Sequence, residues 1–264
     1  MNLTLASFPL SYQNVIKPLS KAKEETATIK ISEISSGSHF FFHVVGDEAA
    51  SVINESMRIF TAENGTGGSP CDLKVGKVVA ALFNDGTGKS WYRARVLERK
   101  PGKAKVLFVD HGNVATLPVA THLRPLDVIL GTDRIPPVAK EAVLAAIKTR
   151  GLDDDDGLDA ARLLQAAAWG KEVSSRVFCQ NEGKLVVALY QPGNPVSINE
   201  QIVSDGLARV SKATEVEALC AKMINSDNLS SLANELRIAE SAARKSHAGI
   251  WRYGDVGDDD EEEY

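Results

Sequence analysis

The sequence has few cysteines and no long apolar run, and each absence excludes a class of protein. Cys71, Cys179 and Cys220 are far apart and form no CxxC pair. Neither a zinc ribbon nor a disulfide scaffold is therefore expected. No stretch of about 18 apolar residues occurs, so no transmembrane helix is predicted. We expect a protein without a membrane-bound segment.

Patterns of common catalytic and metal sites are also missing. The five histidines form no HxxH-type cluster, and no GxSxG motif occurs. The acidic run Asp153 to Asp156 lacks the alternating ligand spacing of an EF-hand and is expected to be a solvated loop. The sequence therefore predicts no metal site and no cofactor.

Charge is distributed unevenly along the chain. Its 30 Lys and Arg and 35 Asp and Glu give a net charge of −5, and 44% of the residues are hydrophobic, which is enough for a folded core. Residues 72–127 contain ten basic and five acidic residues, whereas residues 255–264 contain seven acidic residues and no basic one. This pattern indicates a basic inserted module and an acidic, disordered tail over 254–264.

Turn residues and apolar periodicity divide the rest of the chain. Residues 1–25 have no clear period and are expected to be a linker or arm. Residues 26–66 predict a β-hairpin followed by a helix that Asp47 caps. Residues 71–128 predict a small β-barrel of four or five short strands. Four of them have these ranges: Val78–Phe83, Trp91–Leu97, Lys105–Val109 and Asn113–Leu117.

Residues 129–253 return to a mixed pattern. A second hairpin is predicted from Glu172–Cys179 and Lys184–Tyr190, which flank a turn containing Gly183. A short helix capped by Asn199 and a longer amphipathic helix that ends near Gly249 follow.

The barrel strands bring aromatic residues to one end. Antiparallel pairing places the end of the first strand, the start of the second and the end of the third at the same mouth. The residues expected there are Phe83, Tyr92, Phe108, His111 and Asn113. Aromatic faces attract a soft organic cation, and an amide oxygen accepts a hydrogen bond from a guanidinium. The alternative is that these rings fill the core of the barrel.

A run of basic residues follows the same strands: Arg93, Arg95, Arg99, Lys100, Lys103 and Lys105. Alternation places Arg93 and Arg95 on the face opposite Tyr92. This stripe is either a solvated face or a contact for RNA.

Two sets of motifs resemble one known family. Trp91 to Val96 (WYRARV), followed by Phe108 to Asn113 (FVDHGN), resembles the Tudor motif. Ser197 to Val210, Ala239 to Lys245 and Gly249 to Trp251 resemble the staphylococcal-nuclease-like OB fold. Together they resemble the extended Tudor domain of the Tudor staphylococcal nuclease family. The resemblance implies a mainly β fold with α-helices, in which a Tudor β-barrel is inserted into a nuclease-like OB fold with flanking helices.

The resemblance also implies a function. Extended Tudor domains read dimethylarginine, especially the symmetric form, in Arg-Gly-rich tails, which links ribonucleoprotein partners and RNA silencing. By motif, the cage residues are Phe83, Tyr92, Phe108 and His111, with Asn113 as the polar contact. His111 stands where the family usually has Tyr, and the loop from Asn84 to Ser90 is longer than usual. We expect a cytoplasmic protein that also enters the nucleus.

Two other functions are alternatives. The first is an RNA-binding module that uses the basic stripe and the OB-like part. The second is a fragment of a nuclease-fold enzyme. A staphylococcal-nuclease site needs carboxylates for a metal and arginines for the phosphate, but no VDTPE-like or DKYGR-like segment occurs. The chain is therefore not expected to be an enzyme.

Overall fold

The computed structural model describes residues 25–84, 86 and 88–254. Apart from Glu25 and Gly254, the expected arm over 1–25 and the acidic tail over 254–264 lie outside these residues. The strands are β1 (Glu25–Ile34), β2 (His39–Val44), β3 (Val78–Asn84), β4 (Lys89–Lys100), β5 (Lys103–Phe108), β6 (Val114–Pro118), β7 (Leu123–Arg124), β8 (Lys140–Leu144), β9 (Ile147–Lys148), β10 (Val173–Asn181), β11 (Lys184–Tyr190) and β12 (Arg209–Val210).

Six α-helices accompany these strands in the described part of the chain. They are α1 (Glu48–Asn64), α2 (Val119–His122), α3 (Asp155–Ala168), α4 (Ile198–Ser204), α5 (Ala213–Cys220) and α6 (Asp227–Lys245). Within those described ranges, no helix combines the length and the apolar character that crossing a membrane requires. The expected fold class is confirmed, because the described residues form twelve strands and six α-helices, and five of the strands close into a barrel.

The chain divides into two compact units. Residues 46–139 form the first, which we call the inserted unit, and the described residues on both sides of it (25–45 and 140–254) form the second, the split unit. These boundaries differ from the ranges expected from the sequence (26–66, 71–128 and 129–253). Helix α1 and residues 129–139 belong to the inserted unit, because their apolar side chains pack on its sheet.

The split unit contains the closed barrel, in the order β1-β10-β11-β8-β2. Strands β2 and β8 are antiparallel neighbours, with His39 opposite Val143 and Phe42 opposite Lys140. The chain therefore leaves the barrel after β2 and re-enters it one strand away. An insertion between adjacent strand ends leaves the hydrogen bonds of the barrel intact.

Helices of the split unit differ in two places from the sequence expectation. Asp154, expected in a loop, caps α3 by accepting hydrogen bonds from the backbone of Asp156 and Gly157. Ser197, rather than Asn199, caps α4. Asn199 is buried within that helix, where its side-chain oxygen accepts from the Leu189 amide and its amide nitrogen donates to the carbonyls of Val187 on β11 and of Ala145, just after β8. It therefore satisfies strand groups that a cap would not reach.

The inserted unit is built on a five-stranded sheet in the order β6-β5-β4-β3-β7. One core receives side chains from all five strands, so the sheet rolls around it as a small barrel would. The core residues on the strands are Val79, Ala81, Ala94, Val96, Ala104, Val106, Phe108, Leu117 and Leu123. A register shift between Val96 and Glu98 bends β4, which lets this long strand pair with both β3 and β5.

Strand β3 is buried on both faces. Val79 and Ala81 face the rolled core, whereas Ala80 and Leu82 pack with Ile53 and Met57 of α1. Burial on both faces explains why the sequence of β3 is a continuous apolar run. As expected, Asp47 caps α1, since its carboxylate accepts a hydrogen bond from the Ala49 amide at 2.9 Å.

Candidate functional site

The candidate site lies at one end of the rolled sheet of the inserted unit. Phe83 is next to the end of β3 and pairs with Ser90 near the start of β4. Phe108 ends β5, where Ala94 of β4 is its partner. Strand pairing therefore places Phe83, Tyr92 and Phe108 at one mouth of the sheet, as the sequence predicts.

Four rings form a continuous contact chain, which we call the aromatic cluster: Phe83, Phe108, Tyr92 and His111. The ring centroids of Phe83 and Phe108 are 5.0 Å apart, and the Tyr92 ring stands edge-on to Phe108 at 6.1 Å. His111 also meets Tyr92 edge-on, with their centroids 5.2 Å apart. These are the tilted and T-shaped geometries that aromatic rings prefer.

The members of the aromatic cluster differ in exposure. Phe108 is 1% exposed and belongs to the rolled core. Phe83, Tyr92 and His111 are half-buried. Phe108 therefore forms the floor of the cluster, and the other three rings are the ones that a ligand can reach. The sequence left open whether these rings fill the core of the barrel or line its mouth. In the structure one ring fills the core and three line the mouth.

A tight turn positions His111 and Asn113. The amides of His111 and Gly112 both donate to the carbonyl of Phe108, at 3.1 and 2.8 Å, and the Phe108 amide donates to the carbonyl of Asn113 at 2.9 Å. Gly112 has a φ of 98°, which a residue with a Cβ adopts only with strain. Asn113 follows His111 by two residues in the sequence, and it is half-buried.

A buried ion pair links β4, which carries Tyr92, to the turn after β5, which carries His111. Arg93 is 0% exposed, and its Nε and Nη2 atoms donate to the two carboxylate oxygens of Asp110 at 2.7 and 2.5 Å. A two-pronged pair of this kind fixes both distance and orientation. Because Tyr92 precedes Arg93 and His111 follows Asp110, the pair sets the separation of the two rings.

The same pair anchors the segment that leaves the sheet. Arg93 donates to the carbonyls of Leu130, Ile135 and Pro136, at 3.1, 2.6 and 3.2 Å. Asp110 accepts a hydrogen bond from the Val138 amide at 3.2 Å. The buried charges thus have several partners, which offsets the cost of removing them from water.

The predicted basic stripe is not one surface. Arg93 is buried and committed to Asp110, so it cannot reach RNA. Residues 130–138 cover it, although strand alternation did place it opposite Tyr92. Arg95 is half-buried, whereas the other four, Arg99, Lys100, Lys103 and Lys105, are exposed at the far end of β4 and β5.

The described residues offer little for metal or thiol chemistry. In residues 25–84, 86 and 88–254, no group of three or more His, Cys, Asp or Glu side chains is arranged to hold a metal ion. Burial raises the pKa of the Cys71 and Cys179 thiols, which favours their protonated, unreactive form.

Comparison with protein families identifies the fold around this site. The family model of the Tudor domain matches residues 21–146. This part of the chain is similar to a Tudor domain. Two curated relatives extend the similarity over most of the chain. Ribonuclease TUDOR 2 of Arabidopsis thaliana is 28% identical in an alignment 260 residues long that covers 91% of this chain and 25% of that protein.

The second relative is staphylococcal nuclease domain-containing protein 1 of Drosophila melanogaster. It is 28% identical over 251 residues, or 94% of this chain and 25% of that protein. The chain thus spans about a quarter of the length of these curated relatives.

Solved structures show the same architecture. The extended Tudor domain of Drosophila melanogaster Tudor-SN (p100) matches 87% of this chain and 100% of its own, with a TM-score of 0.70 and 24% identity. The mouse TDRD1 extended Tudor domain TD3, solved with a MILI peptide containing dimethylarginine, matches 74% and 97%, with a TM-score of 0.61 and 22% identity. The chain has the extended Tudor fold.

The ion pair is the part of the candidate site that reasoning from sequence missed. A signal was present, because Asp110 ends an apolar strand and Arg93 lies in another. The partner carbonyls, however, lie 37 to 43 residues beyond Arg93, and no local pattern brings that segment onto the sheet.

Removing one partner of the pair should strongly destabilise the inserted unit. We expect Asp110→Asn to lower the free energy of unfolding by about 3–5 kcal/mol, because it leaves the Arg93 charge buried without its counter-ion. Urea unfolding followed by tryptophan fluorescence measures this. The control is Asp133→Asn, since Asp133 is exposed and pairs with Arg134 at 3.8 Å; its effect should stay within about 0.5 kcal/mol. Equal effects of the two variants would contradict the assignment.

Proposed function

We propose that the chain is a reader of dimethylated arginine in partner proteins. The observation that carries the proposal is the aromatic cluster, with three half-buried rings around the buried floor of Phe108. Support comes from structural neighbours solved with such ligands. They include the human TDRD1 extended Tudor domain with a symmetrically dimethylated peptide and Drosophila Papi with a dimethylated Piwi N-terminal peptide.

Chemistry favours the methylated form of the ligand. A guanidinium is planar and always charged, so ring faces attract it by about 0.5–2 kcal/mol per contact. Methyl groups replace N–H donors that would otherwise need water, and they add apolar surface to bury against the rings. The side-chain oxygen of Asn113 would accept a hydrogen bond from a remaining N–H.

The finer features of the proposal follow from the family resemblance. We propose that the ligand is symmetric dimethylarginine in Arg-Gly-rich tails of ribonucleoprotein partners, in the cytoplasm and nucleus, with a role in RNA silencing. Glycines flanking the arginine would let the backbone approach the mouth of the sheet closely.

We further infer that the chain itself is not catalytic. The names of its curated relatives denote nucleases or nuclease-like domains, but the chain spans only about a quarter of their length. The Tudor domain is a reader fold. We expect no cleavage of single-stranded RNA when Mg²⁺ or Ca²⁺ is added. A gel assay with staphylococcal nuclease as the positive control checks this, and divalent-dependent cleavage that survives repurification would contradict it.

Peptide binding tests the reader proposal directly. Calorimetry compares one Arg-Gly peptide in four forms: unmodified, monomethyl, asymmetric dimethyl and symmetric dimethyl. We expect the symmetric form to bind most tightly, and Tyr92→Ala to weaken it by about 2- to 30-fold through the loss of one ring contact. Phe83→Ala should act in the same direction.

The choice of variants follows from burial. Phe108→Ala is a poor test, because truncating a buried phenylalanine costs about 3–5 kcal/mol of stability whatever the ligand. Phe41→Ala, which removes a half-buried ring from β2 in the split unit, is the matched control and should leave the affinity unchanged. Equal binding of all four peptide forms by the wild type would contradict the proposal.

His111 makes binding sensitive to pH. A neutral imidazole stacks on a guanidinium, whereas a protonated one repels it, so affinity should fall as the pH drops from about 8 to about 5.5. The His111→Tyr variant restores the usual family residue and should lose this dependence while it keeps the preference for methylated peptide. Titrations at both pH values measure the effect, and parallel profiles for the two proteins would refute it.

A further inference from the structure

The outer face of the β4–β5 hairpin carries a second, chemically different surface. Lys100 lies directly opposite Lys103, and Glu98 lies opposite Lys105. Residues that are directly opposite in an antiparallel pair share one face, as do residues two apart on a strand. Lys100, Lys103, Lys105 and Glu98 therefore point to the same side of the sheet.

Arg95 extends this surface along the hairpin. It lies opposite Leu107, which is two residues from Lys105 and so on the same face. We call Arg95, Lys100, Lys103 and Lys105 the basic face. The three lysines are exposed and Arg95 is half-buried. Arg99, opposite the buried Ala104, belongs to the other side of the hairpin.

The basic face has more positive charge than its neighbours balance. Glu98 is the one acidic residue of the hairpin, and its carboxylate lies 3.4 Å from the ammonium of Lys100. Lys103, directly across from Lys100, repels it. Like charges directly opposite each other destabilise a sheet. An anion bridging the lysines would relieve this repulsion.

We propose that the basic face binds the phosphodiester backbone of single-stranded nucleic acid. Lysine ammonium groups bind phosphate oxygens as point charges, so a row of lysines suits the repeated phosphates of a nucleic-acid backbone. Three of the four residues are lysines. Lys103 and Lys105 are two residues apart on an extended strand, or about 6.7 Å, so they can contact successive groups of an extended chain.

The composition of the face also indicates how it binds. The residues that line the accessible part of this face on β4 and β5 are Arg95, Glu98, Lys100, Lys103, Lys105 and Leu107, and none of them is aromatic. Arg93 and Trp91, further along β4 on the same face, are fully buried. Without a ring for base stacking or a side-chain amide for base edges, contacts fall on phosphates. Binding is therefore independent of base sequence and strongly weakened by salt.

The basic face and the aromatic cluster are separate. Lys103 and Phe108 are the first and last residues of β5, five residues apart, which corresponds to about 17 Å along an extended strand. Tyr92 lies on the face of β4 opposite Arg93 and Arg95. A ligand on the basic face would thus leave the aromatic cluster open. This inference does not depend on the methylarginine proposal.

Fluorescence anisotropy with a labelled single-stranded uridine oligonucleotide tests the inference. The test variant combines Lys100→Gln, Lys103→Gln and Lys105→Gln. We expect its affinity at about 50 mM salt to fall by about tenfold or more, and the slope of log K against log salt to become shallower by about 2. Lys103→Gln alone should reduce that slope by about 0.7, which keeps the test valid if the triple variant unfolds.

The matched control removes the same charge from the split unit. It combines Lys30→Gln, Lys171→Gln and Lys245→Gln, three exposed lysines, and should bind like the wild type. Tyr92→Ala should also keep wild-type oligonucleotide binding, so a failure of the reader proposal is distinguishable from a failure of this one. Equal losses in the two triple variants would show a net-charge effect and overturn the proposal.

Two further probes in the same anisotropy assay identify the class of ligand. A single-stranded DNA of matched sequence should bind as RNA does, since the phosphates are shared. A poly-glutamate peptide of equal charge should bind at least about tenfold more weakly. If poly-glutamate binds equally well, the partner is an acidic protein segment and the proposal is wrong. Absence of oligonucleotide binding by the wild type at about 50 mM salt would overturn it as well.

Discussion

The buried pair of Arg93 and Asp110 is the interaction on which the inserted unit depends. It connects β4 to the end of β5, and the remaining donors of Arg93 reach the carbonyls of residues 130–136. Replacing such a pair by apolar residues is often neutral for stability, whereas losing one partner is costly. Its contribution here is therefore geometric. It fixes one position of β4 and one position of the turn after β5, each next to a ring of the aromatic cluster, relative to each other.

The aromatic cluster follows from that register. Strand pairing brings Phe83, Tyr92 and Phe108 to one end, and the turn closed by Gly112 directs His111 to the Tyr92 ring. Because the turn and the ion pair are both rigid, the rings are positioned before a ligand arrives. A site that needs no rearrangement spends little binding energy on ordering side chains. The loop between β3 and β4, of which Asp85 and Thr87 lie outside the described residues, borders this end.

Local patterns in the sequence were sufficient for much of the fold. Alternation and turn residues predicted the hairpins and the cap at Asp47, and strand order alone brought the aromatic residues together. Three features were not predictable in this way. Asn199 looks like a helix cap, but its side-chain amide bonds the backbone of Leu189 on β11 and of Ala145, 54 residues earlier in the chain. Arg93 looks like a surface residue until residues 130–138 cover it. Helix α1 joined the inserted unit because its partners, Ala80 and Leu82, are on a later strand. Each depends on contacts distant in sequence.

The position of the insertion has a consequence for folding. Barrel strands β1 and β2 are synthesised first, yet their partners β8 and β10 follow the entire inserted unit; His39 and Val143 are 104 positions apart. Until then the hairpin has two unsatisfied edges, which are prone to wrong pairing. Closing so long a loop is costly in entropy if its residues are unfolded. An inserted unit that folds first, as units do during synthesis, shortens that loop. Loss of the ion pair in the inserted unit would therefore delay closure of the barrel in the split unit.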